Sequence, residues 1–201
     1  MANMLGQLAS NSPTYIKIMT EVRQKTDSVI ERRFTAERDD DFVVFHIGMR
    51  INTVWKLHRW LPVFLLASRM VRRLRTDPES GLLGSRTVLG PGGRHIGFVQ
   101  YWESFDALRE YARDGGGLHL PAWKEYYRNG TDEDAAVGIW HETYLVRAGE
   151  YETVYNNVPP HGLGACDGTD IVPATERRRT AAGRVGRTDG TDTVSDFSED
   201  A

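Results

Sequence analysis

The apolar residues of this chain fall into short runs separated by glycine, proline and charge, and the period within each run predicts its element. Phe42–Ile51, FVVFHIGMRI, is β-branched and aromatic, as a buried strand should be. Alternation puts Val43, Phe45, Ile47, Met49 and Ile51 on one face, and Phe42, Val44, His46, Gly48 and Arg50 on the other. The first face is wholly apolar and should pack on helices. The second sets a His and an Arg into an apolar row, which suggests a partly polar cavity. Further on, Leu61, Phe64, Leu65, Val71 and Leu74 make a helical stripe, with Pro62 expected in its first turn and Asp77-Pro78 and Gly81 ending it. Gly81–Leu89 and Arg94–Trp102 read as strands joined by the hairpin signal GPGG. Ser104 should cap a helix, FDALREYARD, that stops at Gly115–Gly117. HLPAWKEYYRN (His119–Asn129) reads as a further helical piece, and Val137–Val146 as the last clear strand. Tyr151–Gly164 begins extended and ends in a Pro/Gly loop.

Strand, helix, strand, strand, helix, strand is the ferredoxin-like β-α-β-β-α-β order, an α+β fold. The expected domain runs over residues 36–168, with firm order from Phe42. Residues 1–35 are expected to be a partly disordered extension with a stray helix over Tyr15–Arg32. Residues 169–201, rich in Gly, Thr and charge, are expected to be a disordered polar tail. Helices cover one sheet face. The other, expected to carry Val44, Phe98 and Trp102 or Trp140, must be covered too, and a second copy of the sheet would do so by closing a cavity between protomers. The expectation is a homodimer.

Composition sharpens this little. The chain has 201 residues, 40% hydrophobic and 26% charged, with a net charge of −3, which gives no electrostatic case for nucleic acid. A single cysteine, Cys166, excludes an internal disulfide and a multi-thiolate metal site, and fits a cytoplasmic location. The opening residues lack the basic start and apolar run of a signal peptide. The most apolar stretch, Trp60–Val71, is well short of the roughly 20 residues that span a bilayer.

FVVFHIGMRIN, WKLHRWLPVF, GLLG, FVQYWESFDALREYAR, HLPAWKEYYR, VGIWHETYLV and YETVYNNVPPHGLG, in this order, resemble a family of small bacterial and fungal proteins named as monooxygenases. That family is related to the antibiotic-biosynthesis monooxygenases of the dimeric α+β barrel superfamily. The resemblance runs from about Phe34 to Pro173. It implies a dimeric α+β barrel and oxygen chemistry, although the superfamily also holds haem-degrading oxygenases, haem-dependent aldoxime dehydratases and non-catalytic members.

Several clusters could carry chemistry. His119 follows a Gly-rich loop with Trp123 four residues on. Imidazole ligates iron or moves a proton near neutral pH, and in the wider superfamily a His near this point often serves a haem or a substrate. The alternative is a helix cap beside a core tryptophan. On the last strand Trp140, Glu142 and Tyr144 share a face, with His141 and Thr143 opposite. Between two aromatics Glu142 would be desolvated and more basic, or would pair with Arg50 or Arg59. Trp55, His58 and Trp60 could line a cavity mouth or simply pack a helix start. His46 stands alone on the cavity row. Tyr151, Tyr155, Asn156 and Asn157 could cross to a partner subunit. No metal-ligand spacing is present.

The expectation is therefore a monooxygenase-like enzyme acting on an apolar or aromatic small molecule, in a pocket between the helices and the inner sheet face. His119 and Glu142 would be catalytic. His46, Trp55, His58, Trp102, Trp123, Trp140, Tyr144 and Asn157 would bind substrate. The chemistry is either cofactor-free or haem-dependent, with His119 or His141 as axial ligand. A non-catalytic ligand-binding barrel is the remaining alternative.

Overall fold

The computed structural model describes residues 28–114 and 135–186. Its larger sheet has four strands. They are β2 (Phe42–Ile51), β3 (Leu82–Leu89), β4 (His95–Trp102) and β5 (Val137–Val146), in the order β3-β4-β2-β5 with every pairing antiparallel. With α1 (Leu57–Leu74) after β2 and α2 (Phe105–Asp114) after β4, this is the ferredoxin-like arrangement. The GPGG turn joins β3 to β4 as expected. Ser104 caps α2 by accepting from the Ala107 backbone N–H at 3.1 Å. Pro62 lies inside α1 rather than in its first turn, because the helix already begins at Leu57. The expected helical piece His119–Asn129, with Trp123, lies outside the described residues.

The odd-numbered face of β2 meets the helices, as its apolar pattern predicts. Val43 packs with Leu74, Trp102 and Leu108, while Met49 and Ile51 pack with Val63 and Val137. Trp102 is fully buried there, and its Nε1–H donates to Gln100 Oε1 at 3.0 Å, so two buried polar groups satisfy each other. This corrects the expectation that Phe98 and Trp102 lie on the open face. Antiparallel partners share a face, and Val43 pairs with Trp102 as Ile47 does with Phe98.

A second sheet corrects the expectation for both ends. β1 (Ile30–Glu37) sits between β6 (Tyr155–Val158) and β7 (Asp170–Pro173), giving the order β6-β1-β7. Order therefore starts before Phe42, Ile30–Arg32 are strand rather than helix, and residues 170–186 form structure where a disordered tail was expected. The cause is burial. Phe34, Thr35 and Ala36 are almost wholly enclosed, and Phe34 stacks on Tyr155 with centroids 5.0 Å apart. Tyr151–Asn157, expected as a possible arm to a partner, instead folds onto its own β1: Arg33 pairs with Asn156 and Phe34 with Tyr155. The small sheet covers one end of the open face. Ala36, Leu163, Tyr151, Tyr155 and Ile171 pack over Phe42, Val44, Leu83, Tyr101 and Val146.

Candidate functional site

Register lays out what the small sheet leaves uncovered. On the even-numbered face of β2, His46 is opposite Val99 on one side and Glu142 on the other, and Val99 is opposite Arg86. One row across the sheet therefore reads Arg86–Val99–His46–Glu142. The next reads Val88–Gly97–Gly48–Trp140, and the row nearer the small sheet carries Tyr101, Val44 and Tyr144.

Two glycines side by side leave a shallow trough, and Trp140 lies in it. A Cβ on Gly48 would stand 2.7 Å from Trp140 Cζ2, so the indole fits only because Gly48 has no side chain. The indole meets the His46 ring edge-on, with centroids 4.6 Å apart. His46 Nε2 is shut off from solvent and has no hydrogen-bond partner among the described residues. Tyr144 donates its hydroxyl to Glu142 Oε2 at 2.7 Å, and this hydrogen bond raises the tyrosine's pKa. Glu142 thus pairs with a phenol. Of the two arginines named as alternative partners, Arg50 donates instead to Asn52 Oδ1. Glu142 and Tyr144 are exposed in the single chain.

The structure brings together His46, Trp140, Glu142 and Tyr144 from the predicted set. His141 lies on the opposite face, 5.5 Å from Phe45. Trp55 is 84% exposed ahead of α1 and His58 is exposed in its first turn, while Trp60 donates to the Val54 carbonyl at 3.0 Å and packs the core. That trio is a helix start rather than part of this face. Trp102 is in the core, and Asn157 is exposed on β6 with φ of 53°. The expected pocket between helices and sheet is filled, among the described residues, by Val43, Leu74, Trp102 and Leu108. His119 and Trp123 lie outside the described residues.

The sequence reading missed Arg86. Its signal was the alternation of Gly84, Arg86 and Val88 in β3, obscured by a register shift between Leu82 and Gly84. Arg86 Nη1 donates to His161 Nε2 at 2.9 Å, and the Tyr101 phenol, raised in pKa by burial, is beside the guanidinium. Cys166 lies behind this cluster. Its thiol donates to the Gly162 carbonyl at 3.3 Å, and burial pushes its pKa up to about 12. A cleft of about 250 Å³ elsewhere, between the end of β1 and residues 148–152 and 177–186, is lined by charges that include the Arg184–Glu152 pair.

Haem, one option the resemblance implies, finds a poor fit among the described residues. His141, one of the two axial candidates, faces away from the trough, and the other, His119, lies outside the described residues. No group of three or more metal-binding side chains occurs among the described residues, and no described helix is long and apolar enough to cross a membrane.

The topology defines a ferredoxin-like α+β domain with a shallow, glycine-floored trough on one sheet face. Residues 42–163 match the model of the monooxygenase af470-like family, and the chain belongs to that family. Monooxygenase af470 of Aspergillus fumigatus is 28% identical over 134 residues, which cover 61% of this chain and 45% of that protein. The chain thus spans less than half the length of this curated relative. An aldoxime dehydratase crystallised with butyraldoxime shares the fold, with a TM-score of 0.53 and 18% identity over 67% of this chain and 39% of that one. SnoaB, a cofactor-independent oxygenase from Streptomyces nogalater, aligns at a TM-score of 0.39 and 15% identity over 53% of this chain and 94% of its own.

Proposed function

We propose that the chain is a monooxygenase-like enzyme that oxidises an apolar or aromatic small molecule held in the Gly48–Gly97 trough, with a second copy of the sheet closing over it. Family membership supports the oxygenase class. The observation that carries the site is His46, whose buried Nε2 has no partner among the described residues while its ring stands against Trp140 on the face that also bears Glu142. A buried polar atom left unpaired costs free energy unless a ligand completes it.

Glu142 is the proton acceptor in this reading, through the carboxylate oxygen that Tyr144 does not occupy. His46 Nε2 holds the substrate oxygen, and Trp140 stacks on the ring. Removing a proton from an activated CH₂ leaves a carbanion that reduces O₂. Carbon and oxygen then join as a hydroperoxide. Loss of the second hydrogen and of hydroxide gives the ketone and water, so one O₂ is consumed for each CH₂ oxidised. The protein supplies a base, a dry cavity and orientation. His119 is the second candidate base.

The test is O₂ uptake with a panel of phenols by Glu142→Gln, His46→Gln and His119→Gln. Loss of a general base lowers turnover by about 100-fold or more. Glu142→Gln should show that loss, and unchanged turnover in all three variants would sink the reading.

A further inference from the structure

Among the described residues Arg86 has no counter-charge, and the ion pairs of Arg38, Arg109, Arg178 and Arg184 do not include it. The groups that do face Arg86 are neutral. His161 accepts a hydrogen bond from it through Nε2, which requires that nitrogen to carry no proton, because a guanidinium only donates. Tyr101 is a buried phenol whose pKa is raised, and Cys166 behind it is a buried thiol. The Arg86 Nε–H is shut off from solvent and has no acceptor among the described residues. A partly buried guanidinium with an idle N–H and only neutral neighbours is an incomplete arrangement, and an anionic oxygen completes it.

Its position says which molecule supplies that oxygen. Arg86 and His46 stand on the same row of the same face, separated only by Val99. Two strand spacings put their backbones about 10 Å apart, and Gly97 and Gly48 floor the neighbouring row. We propose that Arg86, with Tyr101 and His161 beside it, binds the carboxylate of an aromatic acid whose ring lies in the trough toward His46 and Trp140. This rests on the reading of that face as a small-molecule site, and it makes the substrate an acid rather than a neutral aromatic.

Binding of 2-naphthoate, benzoate and cinnamate to the full chain can be followed by the fluorescence of Trp140 and by calorimetry, each acid being compared with its uncharged amide. The wild type should bind at least one acid about 10-fold or more tightly than its amide, as expected of a charged hydrogen bond. Arg86→Gln should erase that preference, with the acid losing far more affinity than the amide, and Arg86→Lys should retain part of it. His161→Gln, at an exposed residue, should weaken the acid only and guards against misfolding of the Arg86 variants. Equal affinity for acid and amide, no binding of any of the six probes, or an acid preference that survives in Arg86→Gln would each overturn the proposal. So would a preference absent from the wild type together with a changed oligomeric mass in Arg86→Gln, which would assign the anion to a partner's side chain. Because binding is read without turnover, acid preference with no O₂ uptake would reject the oxygenase reading and leave this site standing.

Discussion

Gly48 shows how a missing side chain can be a structural requirement. The indole of Trp140 lies where its Cβ would be, 2.7 Å from the ring. Gly48→Ala must push the ring off the trough, and overpacking of this kind costs about 1–3 kcal/mol. The variant should unfold at lower urea concentration and show altered tryptophan emission, whereas Gly92→Ala, in open space but at positive φ, should leave the emission unchanged. At this scale the sequence was readable wherever one strand's alternation sufficed. It separated Glu142 from His141 and put His46 opposite Val43 on β2, and the register agrees. It misplaced Trp102 because the face of a residue on β4 depends on which residue of β2 it opposes, and no pattern within a single strand carries that information. Arg86 was illegible for the same reason, with a bulge added.

The four core strands and two helices were legible because each has a strong period and clear stops at Gly or Pro. β1 and β7 were not. IERRFTAE and DIVP carry too few apolar residues to announce strands, and they become strands by pairing with each other and with β6. Their composition is that of a tail, and burial of Phe34 and Ala36 overrides it. The Glu37–Arg178 bridge fastens the last part of this arrangement, and its hydrogen bond from Arg178 lowers the pKa of Glu37. A depressed carboxylate stabilises the fold above its unfolded pKa and loses that contribution as pH falls through the folded value. Arg178→Ala should therefore cost no more than about 1 kcal/mol at pH 7, since the pair is partly exposed. Urea titrations should show the difference shrinking as pH drops below 4.5, the ordinary value for this group. A cost that is the same at pH 7 and pH 3 would mean the bridge contributes packing rather than charge.

At the scale of the molecule, the small sheet covers one end of the open face and leaves the rows of His46 and Gly48 uncovered. A trough that must exclude water needs a lid, and in the proposed dimer a second copy of the same face would supply one by two-fold symmetry. Sedimentation equilibrium should return about twice the chain mass of 22.7 kDa. Val88→Lys, on the Gly48 row but three strand spacings from Trp140 and Glu142, should shift the mass toward the monomer. A monomeric wild type would mean that the trough is closed by something other than this chain.

Phe34 and Pro173 pair directly, although most of the described chain lies between them. Contacts this distant in sequence are the costliest to close, because the intervening loop must be gathered before the pairing gives anything back. The ferredoxin-like core can assemble from nearer neighbours, so the small sheet is the last part to form, and β1 waits for β7. During synthesis Phe34 stays without its final cover until Pro173 has been made. The two ends act as a clasp, and the covered end of the trough face exists only once the clasp is shut.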